Sequence, residues 1–157
     1  MNRSTLSVFL KISAVLWIIW GAVHVLAGVM VMKGHIEGNP SASVIAVADA
    51  EDPTSLTMDY PKAAGALMAQ HGFNLFWIGI VTFICAFYIW RKNGNAIFLA
   101  AITGGLADIG YFIFLDLGGH VHFVPGTVMT LVSASAIILS FIAYFQSNKM
   151  ELFKDAA

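Results

Sequence analysis

Four apolar runs, Leu6 to Met32, Ala66 to Trp90, Ala96 to Leu117 and Phe123 to Phe145, alternate with polar stretches along the chain. Each is near or above the roughly 20 residues that carry a helix across a hydrocarbon core about 30 Å thick. The pattern predicts an all-α integral membrane protein in one domain, 1–157. Its expected form is a four-helix transmembrane bundle, with helices near 5–32, 62–90, 95–117 and 124–146 and an outer loop at 33–61. The first run has a basic start, as a signal peptide would, but it is far longer than a signal core of about 7–15 residues and is read as a retained helix. Pro61 suits the opening of the second helix and Pro125 that of the fourth, with Gly118 and Gly119 breaking the third. Within the long loop, the apolar stretch Ser43 to Ala48 predicts a short interfacial helix or a cap over the bundle mouth.

Composition agrees with this reading. The 157 residues are 59% hydrophobic and 11% charged, with a mean hydropathy of +0.80, whereas soluble domains carry about 25% charged residues. A net charge of −1 with no basic stripe argues against a nucleic-acid partner. The single cysteine, Cys85, can form neither an internal disulfide nor a multi-thiolate metal site.

Charge sets the expected orientation. Arg3, Lys11, Arg91, Lys92, Lys149 and Lys154 gather at one side of the predicted bundle, and an excess of Lys and Arg marks the cytoplasmic side. Both termini are then cytoplasmic. Glu37, Asp49, Glu51, Asp52 and Asp59 lie on the opposite side, with the turn 118–122. Tyr88, Trp90 and Tyr144 stand beside the basic residues, as an interfacial belt does. The expected location is a bacterial inner (plasma) membrane.

The candidate chemistry collects at the outer side. Counting about 1.5 Å per residue, His24 lies about 31 Å from Arg3 and His71 about 30 Å from Arg91, so both should reach the outer edge of the hydrocarbon. Asp116 reaches a similar level, Asp108 lies about two turns deeper, and Thr127 and Thr130 approach from the fourth helix. Helical spacing puts Trp17, Trp20, Gly21, His24 and Gly28 on one side of the first helix, and Met68, His71 and Asn74 on one side of the second. Ala101, Gly104, Gly105, Asp108 and Tyr111 form a small-residue face of the third, which points Asp108 into the bundle. Thr130, Ser133 and Ser140 supply small polar groups from the fourth. Ionisable groups at membrane depth are costly and mark functional sites by default.

Three functions fit these residues. The first is a transition-metal or haem site with a redox-associated role. His24, His71, Asp108, Asp116, His120 and His122 are its candidate ligands, His35 and Glu37 further donors, and Met30, Met32, Met58 and Met68 nearby sulfurs; copper, zinc and iron are the candidate metals. In the haem b form, His24 and His71 hold the iron from facing helices and Trp20 walls the porphyrin. The second is cofactor-free acid/base chemistry, of isomerase or hydratase type, on a small lipophilic ligand. There His71 and Asp108 are acid and base, Tyr111 and Asn74 orient the substrate, and Trp20 and Trp77 form an apolar wall. The third is a structural accessory subunit, whose polar residues, such as a tied His24 and Asp108, fix helix register. The lipid bilayer is the expected partner in each case, with a homo-oligomer or a larger membrane complex as possible assemblies.

Overall fold

The computed structural model describes residues 2–48 and 52–147. Asp49, Glu51, Lys149 and Lys154, used above to assign loop and orientation, lie outside the described residues. Among the described residues, four helices are long and apolar enough to cross a membrane: Arg3–Ile36, Lys62–Trp90, Gly94–Asp116 and Phe123–Ser147, hereafter the first to fourth spans. They form an all-α four-helix bundle. Asn2 caps the first span by accepting from Thr5 N–H at 2.8 Å, and Asn93 caps the third by accepting from Ala96 N–H at 3.2 Å. The first span runs four residues beyond the expected end and stops at Gly38, whose φ of +74° suits glycine and ends the helix.

The first and second spans are joined backbone to backbone. A Cβ on Gly21 would sit 2.7 Å from Gly79 O, and one on Gly28 would sit 2.5 Å from Gly72 O. Glycine at these positions lets the two helices approach until their backbones touch. The fourth span packs across the first, where buried Ser13 donates to Ala136 O at 2.8 Å. Below this level, toward Arg3, Leu6, Leu10, Ile89, Ile97 and Ala143 fill the core. At the same end Lys11 lies over Trp90, 5.5 Å from the ring centroid, and Arg91 over Phe87 at 4.2 Å. Such cation–aromatic pairs suit a membrane boundary, where a charged head and an apolar ring each meet their preferred medium. Outward-facing Leu26, Ile102, Phe114 and Leu131 are exposed, as positions on the bundle surface that meet lipid would be.

The third span is not a uniform α-helix. Ala101–Gly105 and Phe112–Asp116 are π-turns flanking the α-helical piece Leu106–Tyr111, which carries Asp108. Each π-turn spends one extra residue on its hydrogen-bonded ring and so resets the helical register. The fourth span opens on a third such stretch, Phe123–Thr127, interrupted by extended backbone at Val124. Val124 precedes Pro125, whose ring disfavours the helical region for its neighbour.

The long connection is partly helical. Asn39 accepts from Ala42 N–H at 3.0 Å and starts a helix over Pro40–Ala48 that packs on the first and second spans. Its anchor is Ser43, fully buried, donating to Val31 O at 2.8 Å and seated against Gly34. A Cβ on Gly34 would lie 2.6 Å from Ser43 Oγ and 2.8 Å from Ser43 N. Gly34→Val is therefore expected to undock this helix and leave the spans assembled. Limited proteolysis in nanodiscs should then show faster cleavage within 37–61, and an unchanged cleavage rate would show that Ser43 is not the anchor. Further along, Asp52 caps the short turn Pro53–Leu56; the Thr54 hydroxyl and the backbone N–H groups of Thr54 and Ser55 hold its carboxyl below the usual carboxylate range.

Candidate functional site

Three side chains from two spans meet in the middle of the bundle. Trp20 is fully buried and donates from Nε1 to Asp108 Oδ2 at 2.7 Å, while Asp108 is only 5% exposed. The indole is held from behind by Trp17, edge-on at 5.7 Å. Trp17 in turn rests on Gly104, where any Cβ would overlap its ring. A small residue on the third span thus lets the tryptophans of the first set the height of the acceptor they meet.

His24 stacks on Trp20, with ring centroids 3.5 Å apart and planes 18° from parallel. Its Nδ1 is 2.9 Å from Trp20 O, one helical turn back. A carbonyl only accepts, so Nδ1 carries the hydrogen of that bond, and Nε2 is either a lone pair or a second N–H. Nε2 lies 3.9 Å from Asp108 Oδ1, too far for a direct hydrogen bond. If the carboxylate were ionised and the imidazole neutral, two acceptors would face each other in a low-dielectric interior. One proton on either atom makes the contact favourable. The two groups can hold one proton between them, and its transfer from one to the other takes a bridging water or a closer approach.

Asp108 also faces the fourth span. Ser133 stands beside its carboxyl and donates to Thr130 O at 3.0 Å. On this side a cavity of about 370 Å³ lies between the third and fourth spans, with Asp108, Thr130 and Ser133 as its polar groups. Its walls are Leu106, Ile109 and Phe112 from one span and Ala134, Ile137 and Ile138 from the other. Leu106, Ile109 and Ile138 are more than half exposed on the bundle surface, so the cavity is a groove open at the side. Eight residues beyond Asp108, Asp116 accepts from the Thr127 hydroxyl through Oδ1, and the Tyr111 hydroxyl lies over Gly126.

The sequence candidates therefore separate. Trp20, His24 and Asp108 are in contact, while Asp116 and Tyr111 meet the start of the fourth span at Thr127 and Gly126. His71 is not brought to Asp108: it is exposed on the second span and makes no hydrogen bond or ion pair with a described residue. The pairing of Gly21 with Gly79 and Gly28 with Gly72 puts Phe76 level with His24 and leaves His71 about 7.5 Å further along. His120 and His122 are exposed on the turn between the third and fourth spans, and His35 lies against Gly65. Among the described residues no three His, Cys, Asp or Glu side chains gather as a metal site would require. The groove walls were not foreseen from the sequence; the adjacent Gly104 and Gly105, one facing Trp17 and the other Ile137, were the only trace of a span that must serve two neighbours. Comparison with known protein families, with curated proteins and with solved structures finds no match to this chain.

Proposed function

We propose that this membrane protein is an acid/base site for a small lipophilic molecule, which enters from the bilayer through the groove between the third and fourth spans and meets Asp108. The observation that carries this reading is the double placement of Asp108. One side of its carboxyl closes an apolar groove open toward lipid, and the other is bonded to Trp20 and faces His24 Nε2. A groove of this size falls within the usual range for small-molecule sites, which are mostly apolar with a few fixed polar groups. Asp108 exchanges the proton with the bound molecule, His24 is the second group of the pair, and Trp20 fixes the carboxyl through Oδ2. Positioned acid/base groups of this kind are worth about 10²–10⁴ in rate. Arg3, Lys11, Arg91 and Lys92 support an orientation in which their end is cytoplasmic and the site lies in the outer half of the bilayer.

A copper, zinc, iron or haem b centre has less support. Among the described residues no third ligand of the usual kinds joins His24 and Asp108, and Asp108 Oδ2 is taken by the Trp20 indole. A purely structural accessory role keeps one point in its favour, since the Trp20 bond alone satisfies part of a costly buried carboxyl.

The test uses carbodiimides, which add to protonated carboxyl groups and leave a covalent adduct that peptide mass spectrometry locates. Dicyclohexylcarbodiimide, which partitions into the bilayer, is expected to modify Asp108 in nanodiscs, and a water-soluble carbodiimide to leave it unmodified. Ala134→Trp, which fills the groove, should suppress the adduct. An Asp108 that resists the lipophilic reagent, or reacts equally with the soluble one, would remove the basis for lateral entry.

A further inference from the structure

Asp116 has no role in the reading above, although it is the second carboxyl of the third span. In an unbroken α-helix a residue eight positions from Asp108 would be turned away by about 80°. The extra residue of the π-turn Phe112–Asp116 takes back about 100°, which leaves the two carboxyls within about 20° of one face. Both meet hydroxyls of the fourth span, Asp116 at Thr127 and Asp108 at Ser133, with Thr130 between them along the helix. A polar file therefore runs about 12 Å along the third span from Asp116, beside the Gly118–His122 turn, to the His24 and Asp108 pair.

Two oxygens in this file, Asp116 Oδ2 and Thr130 Oγ1, are buried and have no hydrogen-bond partner among the described residues. Buried polar groups are otherwise nearly always bonded, to protein or to ordered water. The opposite direction from Asp108 is different. Ser13, Thr82, Thr103 and Ser140 each donate to a backbone carbonyl, and the remaining contacts toward Arg91 and Lys92 are among the apolar residues of the core. Trp17 Nε1, on this side, is also buried without a partner, but an indole N–H only donates and cannot take up and pass on a proton. Among the described residues, buried oxygens with unused bonding capacity thus lead from Asp108 toward one end only.

We infer that Asp116, with Thr127 and Thr130, is the route by which the His24 and Asp108 pair exchanges its proton with the aqueous phase at the Gly118–His122 end. The inference rests on the reading of Asp108 as the acid of the groove. A proton that Asp108 gives to a bound molecule is replaced by one from the Asp116 carboxyl, carried by bridging water and the Thr130 hydroxyl. Asp116 then regains a proton from bulk water, and the protein returns to its starting charge. The titratable groups around the file are His24 from the first span, Asp108, Tyr111 and Asp116 from the third, and His120 and His122 on the turn; the second span contributes His71, exposed further out.

The experiment uses the full chain in vesicles of one orientation, with pH set separately on each side and dicyclohexylcarbodiimide as the probe of protonated Asp108. Labelling should rise as pH falls at the Gly118–His122 end, about tenfold per unit above the titration point of the carboxyl, and ignore pH at the other end. In Asp116→Asn the same change should alter labelling less than about twofold, with Thr130→Val, which removes only a hydroxyl, showing the same loss in part. Unchanged sidedness in both variants, or labelling that follows the opposite end in the wild type, would overturn the inference while Asp108 still reacts. If Asp108 failed to react at any pH, the reading of the groove would fall first and this route with it.

Discussion

Gly28→Leu is expected to separate the first two spans and unfold the bundle, at a cost of about 3 kcal/mol or more. The reason is what a side chain would strike. A Cβ at Gly28 would lie 2.5 Å from Gly72 O, 2.7 Å from Phe76 N and 2.9 Å from Phe76 Cβ. Two of these atoms are backbone and cannot turn aside as the tip of a long side chain can. The helices would have to move apart along a seam that also includes Gly21 and Gly79, so every contact between them would be strained. Gly28→Ala should already show a clear loss. Gly110→Ala is the matched control: nothing lies within 4 Å of its added methyl, and alanine is the better helix former by about 0.5–1 kcal/mol. Reversible denaturation in mixed micelles, followed by tryptophan emission, compares the three. Equal stability of Gly28→Leu and wild type would mean that the first two spans do not meet as described.

The second large effect is expected at Asp108, where two substitutions should give different results. Asp108→Asn keeps a side-chain oxygen in place to accept from Trp20 Nε1, so the fold should hold within about 1 kcal/mol. What it loses is the proton, and with it the acid/base action, by about 10²–10⁴ for any substrate of the groove. Asp108→Leu fills a similar space but leaves the Trp20 N–H buried without an acceptor, which costs about 1–3 kcal/mol. The same denaturation measurement, with carbodiimide adducts counted in parallel, separates stability from chemistry. If the Asn and Leu variants proved equally stable, the bond from Trp20 would not be what organises this site.

The spans and the inward direction of Asp108 were legible in the sequence because both follow from helical period and hydropathy. The small residues at Gly21, Gly28 and Gly104 likewise announced close approach. Which histidine reaches Asp108 was not legible. Counting rise from Arg3 and from Arg91 puts His24 and His71 at one depth, but the axial offset of two helices is fixed by which glycines nest together. Here the pairing of Gly28 with Gly72 moves His71 past His24 by about one and a half turns. The groove was hidden for a related reason: a cavity depends on how two spans diverge, whereas a hydropathy pattern records only which residues are apolar. The apolar stretch at 43–48 signalled a helix in the long connection, but its docking on the first span depends on Ser43 entering the notch at Gly34, which periodicity does not encode.

The π-turn at Phe112–Asp116 has a consequence for how this chain tolerates change in length. Deleting one residue there would restore an ordinary helix, remove a local irregularity and leave the hydropathy of the span untouched. It would also swing everything beyond it, Asp116 included, by about 100° relative to Asp108. The bearing of the outer carboxyl is thus set by a surplus residue rather than by the identity of its neighbours. A one-residue deletion in an apolar stretch, harmless to insertion in the membrane, would act on this protein like the loss of a charged group.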